Sequence, residues 1–180
     1  MKGAAFLLLL ALPAAAAVEL LPYTPPSRSF SCLVPSGWTA FEQATPAGTT
    51  AHILGPEGPA GWRPAYHVHV VEKNKPGWQE PHDMLKSLRR ADDSSDRAPT
   101  ALNSWRVARK SARLFEVHER RMNPAGRLPA EALGIHHFYA YVPGVGEDYL
   151  IVKLTTREDD YLEFRREFMR FLDSLRLLGY

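Results

Sequence analysis

Two β-rich runs near the end of the chain, Ile135 to Val142 and Asp148 to Thr155, are separated only by the turn-forming stretch Pro143-Gly144-Val145-Gly146. A connection that short joins antiparallel neighbours, so this segment is expected to be a β-hairpin. Earlier runs follow the same logic. Ser29 to Val34 reads as a strand with Phe30, Cys32 and Val34 on one face. Pro35-Ser36-Gly37 is a turn, and Trp38 to Ala44 and Thr49 to Leu54 are two further short strands. Gly55–Pro64, dense in glycine and proline, is a loop. Tyr66 to Glu72 alternates most clearly, with Tyr66, Val68 and Val70 on one side and His67, His69 and Val71 on the other. In Trp105 to Arg121, Phe115 and Val117 alternate with Glu116 and His118, so the second half reads as a strand and the first half as another strand or a turn into it. Asn123 to Gly134 reads as a loop.

Only two segments have helical periodicity. One starts at Pro81, where proline suits a first helical turn, and its apolar stripe is Met84, Leu85, Leu88 and Ala91. The other runs from about Arg157 to Leu178. Its stripe is Tyr161, Phe164, Phe168, Phe171, Leu172 and Leu175, and Thr155 or Thr156 is its expected cap, with Glu158 and Asp159 three residues on. Hairpins without βαβ alternation define an α+β class: a mainly antiparallel sheet of about six strands, with a mid-chain helix and a long C-terminal helix packed on it.

The first residues carry a different signal. Lys2, the apolar run Phe6 to Leu12, and Ala15 and Ala17 before Val18 have the order of an export signal with a small-residue cleavage site. The apolar run is shorter than the roughly 20 residues a membrane helix needs. The expected organisation is a signal peptide at 1–17, an extended leader at 18–28 (VELLPYTPPSR) and one domain at 29–178. The expected location is the periplasm or the extracellular space, with no transmembrane segment after cleavage. Loss of Lys2 from the 22 basic residues leaves 21 against 20 acidic ones. That balance argues against electrostatically driven nucleic-acid binding. A single cysteine, Cys32, cannot form an internal disulfide, and its apolar neighbours suggest burial as a small hydrophobe.

The segment Phe30-Ser31-Cys32-Leu33-Val34-Pro35-Ser36-Gly37-Trp38 resembles the opening strand-turn-strand of the PsbP-like superfamily, which includes the photosystem II subunit PsbP and bacterial envelope proteins such as DcrB. Tyr149 to Leu154 and Phe164 to Leu175, closing on Phe171-Leu172-Asp173-Ser174-Leu175, resemble that family's last strand and terminal helix. The resemblance covers about Ser29 to Leu178. It implies a PsbP-like α/β sandwich and a scaffold or accessory role, and it carries over no functional residue, because the matched positions are structural.

The chain has no G-x-S-x-G, no Walker loop, no G-x-G-x-x-G, no C-x-x-C and no H-E-x-x-H. The acidic run Asp92–Asp96 lacks the ligand spacing of a calcium loop and reads as a solvated helix exit. Histidine offers one constellation. His67 and His69, two apart on a strand, project from one face about 7 Å apart along the backbone. His118 and His136 or His137 are candidates to complete a zinc or copper site, expected as His67, His69, His118 and His137. Trp62 and Trp78, in loops flanking Tyr66–Glu72, are candidate partner-binding anchors. The expected function is that of an exported, non-enzymatic accessory or binding protein of the bacterial envelope, acting on an envelope protein or a small ligand and needing no cofactor. The alternatives are a periplasmic metal-binding protein that uses the histidine-bearing sheet face, and a hydrolase.

Overall fold

A computed structural model describes residues 19–58, 61–92, 96–123 and 131–178. The signal expected at 1–17 and most of the loop expected at 123–134 lie outside the described residues. The strands are β1 (Leu20–Tyr23), β2 (Phe30–Pro35), β3 (Thr39–Thr45), β4 (Gly48–Leu54), β5 (Ala65–Val71), β6 (Ala98–Pro99), β7 (Asn103–Val107), β8 (Lys110–Asn123), β9 (Glu131–Pro143), β10 (Tyr149–Arg157) and β11 (Arg176–Leu177). The helices are α1 (Pro81–Leu88), between β5 and β6, and α2 (Tyr161–Ser174), between β10 and β11. Among the described residues no helix is long and apolar enough to cross a membrane.

The α+β class holds, but the strands form more than the single sheet of about six that the sequence suggests. Eight strands make one antiparallel sheet in the order β3-β4-β5-β10-β9-β8-β6, with β7 also paired to β8, and β1-β2-β11 form a second, three-stranded sheet. The extra strands are short or lie in segments without alternation. β1 falls in the Pro-rich leader and pairs with β2 from Leu20↔Pro35 to Tyr23↔Cys32. β11 occupies residues expected to be helical and pairs with β2 through Leu177↔Phe30. The long C-terminal helix is therefore cut at both ends. Thr155 and Thr156 do not cap it, because the β9–β10 ladder continues to Arg157↔Ile135. Asp160 takes the N-cap position without a side-chain hydrogen bond.

Strand alternation gives the large sheet two faces. On one, Phe138, Ala140, Val142, Leu150, Val152, Leu154, Tyr66, Val68 and Val70 pack under α2 and the small sheet, where Phe168, Phe171 and Leu172 are fully buried. Phe30, Cys32 and Val34 join this core as expected. Trp38, at the end of the Pro35–Gly37 turn, covers its edge, with its ring 4.5 Å from that of Tyr66. Gly37 takes the positive φ of 81° that this turn requires. On the other face Val71, Phe115, Val117, Tyr139, Tyr149 and Ile151 form a smaller core, against which Met84, Leu85 and Leu88 of α1 pack. Ala91, expected in the α1 stripe, lies beyond the helix and is exposed. The hairpin turn expected at Pro143–Gly146 is present, closed by Gly144 N–H to the Asp148 carbonyl at 2.8 Å.

Candidate functional site

α1 buries none of its residues completely. It bridges the smaller core and is held at both ends by side chains from elsewhere. The Tyr149 hydroxyl donates to the Gln79 carbonyl at 2.9 Å, and Arg97 donates to the Leu88 and Arg90 carbonyls at 2.6 and 2.9 Å. An eight-residue helix without a buried side chain leaves space beneath it. A cavity of about 300 Å³ opens there, walled by Met84, Leu88, Val71, Ile151 and Tyr139, with Thr50, His69 and Lys153 as its polar floor.

Strand register builds that floor. His52, His67, Lys153, Tyr139 and Phe115 form one row across β4, β5, β10, β9 and β8. Thr50 and His69 sit opposite each other in the next row, joined by a 2.9 Å hydrogen bond between Thr50 Oγ1 and His69 Nδ1. Burial, aided by Lys153, lowers the pKa of His67 and of His69 to about 4, so both rings are neutral at pH 7. Burial also lowers the Lys153 ammonium to about 8, which leaves it mainly protonated at pH 7. Its Nζ lies 5.4 Å from the centre of the Tyr139 ring, a cation–π distance. Among the described residues Lys153 has no ion-pair or hydrogen-bond partner.

The carboxylate that would neutralise it is otherwise engaged. Glu119, 7% exposed, accepts from Arg97 at 2.8 Å, from Arg121 at 2.5 Å and from His137 Nε2 at 3.1 Å. Burial alone would raise the Glu119 pKa, but the His137 hydrogen bond and the two guanidinium charges outweigh it, and the group stays ionised. His137 is held neutral by burial, donating from Nε2 to Glu119 and accepting at Nδ1 from the Thr155 hydroxyl at 3.0 Å.

The structure does not bring the four expected metal ligands together. His67 and His69 share a face as predicted, with ring centres 6.1 Å apart. His137 is on the same face but two strands and two residues along from His67, roughly 12 Å at ordinary strand geometry. His118 lies on the opposite face, because it alternates with Val117, which packs beneath α1. The periodicity that placed His118 on a polar face with Glu116 was legible; which side of the sheet that face occupies depends on long-range pairing. There His118 meets His136, Glu116 and Glu158. Sequence reading missed Lys153, a lone basic residue in an apolar strand, which is the type of position where burial shifts a pKa.

Trp62 and Trp78 are both partly covered. Trp78 packs against the smaller core, donates from Nε1 to the Glu147 carbonyl at 3.2 Å and carries Lys73 Nζ 3.6 Å above its ring. Trp62 lines a pocket of about 230 Å³ with Pro64, Arg157 and Phe164. Neither stands out from the surface as a free anchor.

No protein-family model matches the chain, and no curated protein matches it in sequence. In structure it is similar to cyanobacterial PsbP (CyanoP) from Synechocystis sp. PCC 6803, with a TM-score of 0.52, 94% of this chain and 98% of that chain covered, and 10% sequence identity. It is also similar to PA94 of Pseudomonas aeruginosa, a protein of unknown function, with a TM-score of 0.48, 10% identity, and 87% and 95% of the two chains covered. The PsbP-like fold expected from the Phe30–Trp38 segment is thus the fold the chain adopts. At that identity the likeness extends to architecture alone.

Proposed function

We propose that this chain is an exported, non-enzymatic binding protein whose ligand is a small amphiphile with an acidic head group, held in the cavity beneath α1. The observation that carries this reading is Lys153, a partly buried cation with no ion-pair or hydrogen-bond contact among the described residues, on the floor of a cavity whose walls are mostly apolar. A buried charge is costly unless paired, and an anionic head group at Nζ would pair it. Thr50 and His69 offer polar contacts beside it, while Met84, Leu88, Val71 and Ile151 suit a hydrocarbon body. A volume of about 300 Å³ is at the small end for ligand pockets. Export rests on the Lys2, Phe6–Leu12 and Ala15-x-Ala17 order, and the first residue of the protein recovered from the cell envelope tests it: Val18 is expected, and Met1 would refute cleavage. Calorimetric titration with octanoate, beside 1-octanol, tests the ligand class. Octanoate is expected to bind more tightly, and equal binding of the two would remove the ammonium from the account.

A further inference from the structure

The opposite face of the sheet holds a second cluster that the cavity does not use. His118 on β8 and His136 on β9 are directly opposed in register, with ring centres 3.9 Å apart. Glu158 follows the last residue of β10, and its N–H donates to the Gly134 carbonyl at 3.0 Å. A Cβ on Gly134 would stand 3.2 Å from that of Glu158, so glycine permits this close approach. Glu158 Oε2 lies 3.1 Å from His118 Nδ1 and 3.2 Å from His136 Nδ1. Glu116 Oε2 lies behind the same ring, 3.1 Å from His136 Nε2. Glu116, His118 and His136 each place a ligand atom within 4.8 Å of the others.

We propose that this cluster is a binding site for a divalent transition cation such as Zn²⁺, with His118 Nδ1, His136 Nδ1 and Glu158 Oε2 as ligands and water completing the shell. Three observations point there. His136 is 2% exposed, yet among the described residues its Nδ1 has no hydrogen-bond partner, although it faces Glu158 at 3.2 Å. A buried nitrogen left without a partner is costly, and a cation between it and the carboxylate satisfies both. The 3.1 and 3.2 Å spacings also fit the geometry: two ligands at about 2.0–2.1 Å from zinc, spread at a tetrahedral angle, stand roughly 3.3 Å apart. Finally, Glu116 can accept the Nε2–H of His136, which fixes the tautomer that presents a bare Nδ1 and matches the carboxylate–histidine–metal arrangement of many sites. Arg165, 3.5 Å from the other oxygen of Glu116, leaves Oε2 free for this. His118 and Glu158 are half exposed, so the mouth is open and the ion exchangeable.

Calorimetry with Zn²⁺ in metal-stripped buffer tests the site. One ion per chain is expected. Glu116→Gln should weaken binding by roughly 10- to 100-fold, the cost of losing an outer partner, while His118→Ala and Glu158→Gln should weaken it further. Both of the latter residues are exposed enough for the variants to fold even if His136→Ala does not. Lys153→Met, on the other face, should bind Zn²⁺ as the parent does. Co²⁺ substitution should give the strong visible absorption of a tetrahedral site. Absence of saturable binding, or unchanged affinity in both His118→Ala and Glu158→Gln, would overturn the proposal.

Discussion

Lys153 on β10 and His67 on β5 stand directly opposite each other in register, a cation against an imidazole that burial keeps neutral. This pairing sets the character of the face under α1. Positive charge is concentrated on one amine, its histidine neighbours add none at pH 7, and the nearest carboxylate is committed to Arg97, Arg121 and His137.

The histidines give the fold an acid-sensitive window. A free imidazole has a pKa near 6.5, whereas His67 and His69 titrate at about 4 in the folded chain, through burial first and Lys153 second. Between pH 6.5 and 4 the unfolded chain binds more protons than the folded one, so stability falls as pH falls through that range and levels off below it. Thermal denaturation from pH 7.5 to 4 should show this decline, and His67→Asn/His69→Asn should make it shallower, leaving the share that buried His137 contributes. An unchanged slope in that variant would assign the decline to other groups.

Glu119 is the keystone of a charge network shared by β8, β9 and the segment leading to β6. Glu119→Gln leaves Arg97, which is 17% exposed, without its counter-charge. Breaking a buried pair by removing one member costs about 3–5 kcal/mol. Urea unfolding should show a loss of that order, with α1 loosened because Arg97 also holds the Leu88 carbonyl. A loss below about 1 kcal/mol would mean that the network is solvated.

Phe168 is fully buried, with its ring 5.2 Å from Tyr66 and 5.5 Å from Phe138. Phe168→Ala opens a cavity between α2 and the sheet and should cost about 3–5 kcal/mol, measured by the same unfolding curves.

Cys32 is 4% exposed, and burial raises its thiol pKa to about 12. The native chain should not react with a thiol reagent at pH 8 and should release one equivalent when denatured. Rapid native reaction would show that the small sheet opens.

Much of this architecture was legible in the sequence because it is written in local periodicity. The alternation of Tyr66–Val71 and the turn at Pro143–Gly146 place β5 and β10 within a residue or two, and Pro81 marks the start of α1, whereas β9 begins at Glu131, four residues before Ile135, inside a stretch read as loop. What the sequence hid was decided by pairing between distant segments. β1 and β11 are strands because β2 has two free edges, and nothing in LLPY or RL demands extension. The same limit governs the sites. Spacing places His67 beside His69, but only the order β4-β5-β10-β9-β8 shows that Lys153 lies between His67 and Tyr139 and that His118 faces the other way.

The most direct measurement is calorimetric titration of octanoate into the parent chain, Lys153→Met and Lys153→Arg. A charge-assisted contact is worth about 1.5–3 kcal/mol, so Lys153→Met should bind roughly ten- to a hundredfold more weakly, while Lys153→Arg keeps most of the affinity. If the parent does not bind octanoate, or if Lys153→Met binds it equally well, the unpaired ammonium is not a ligand site and the account of this face is wrong.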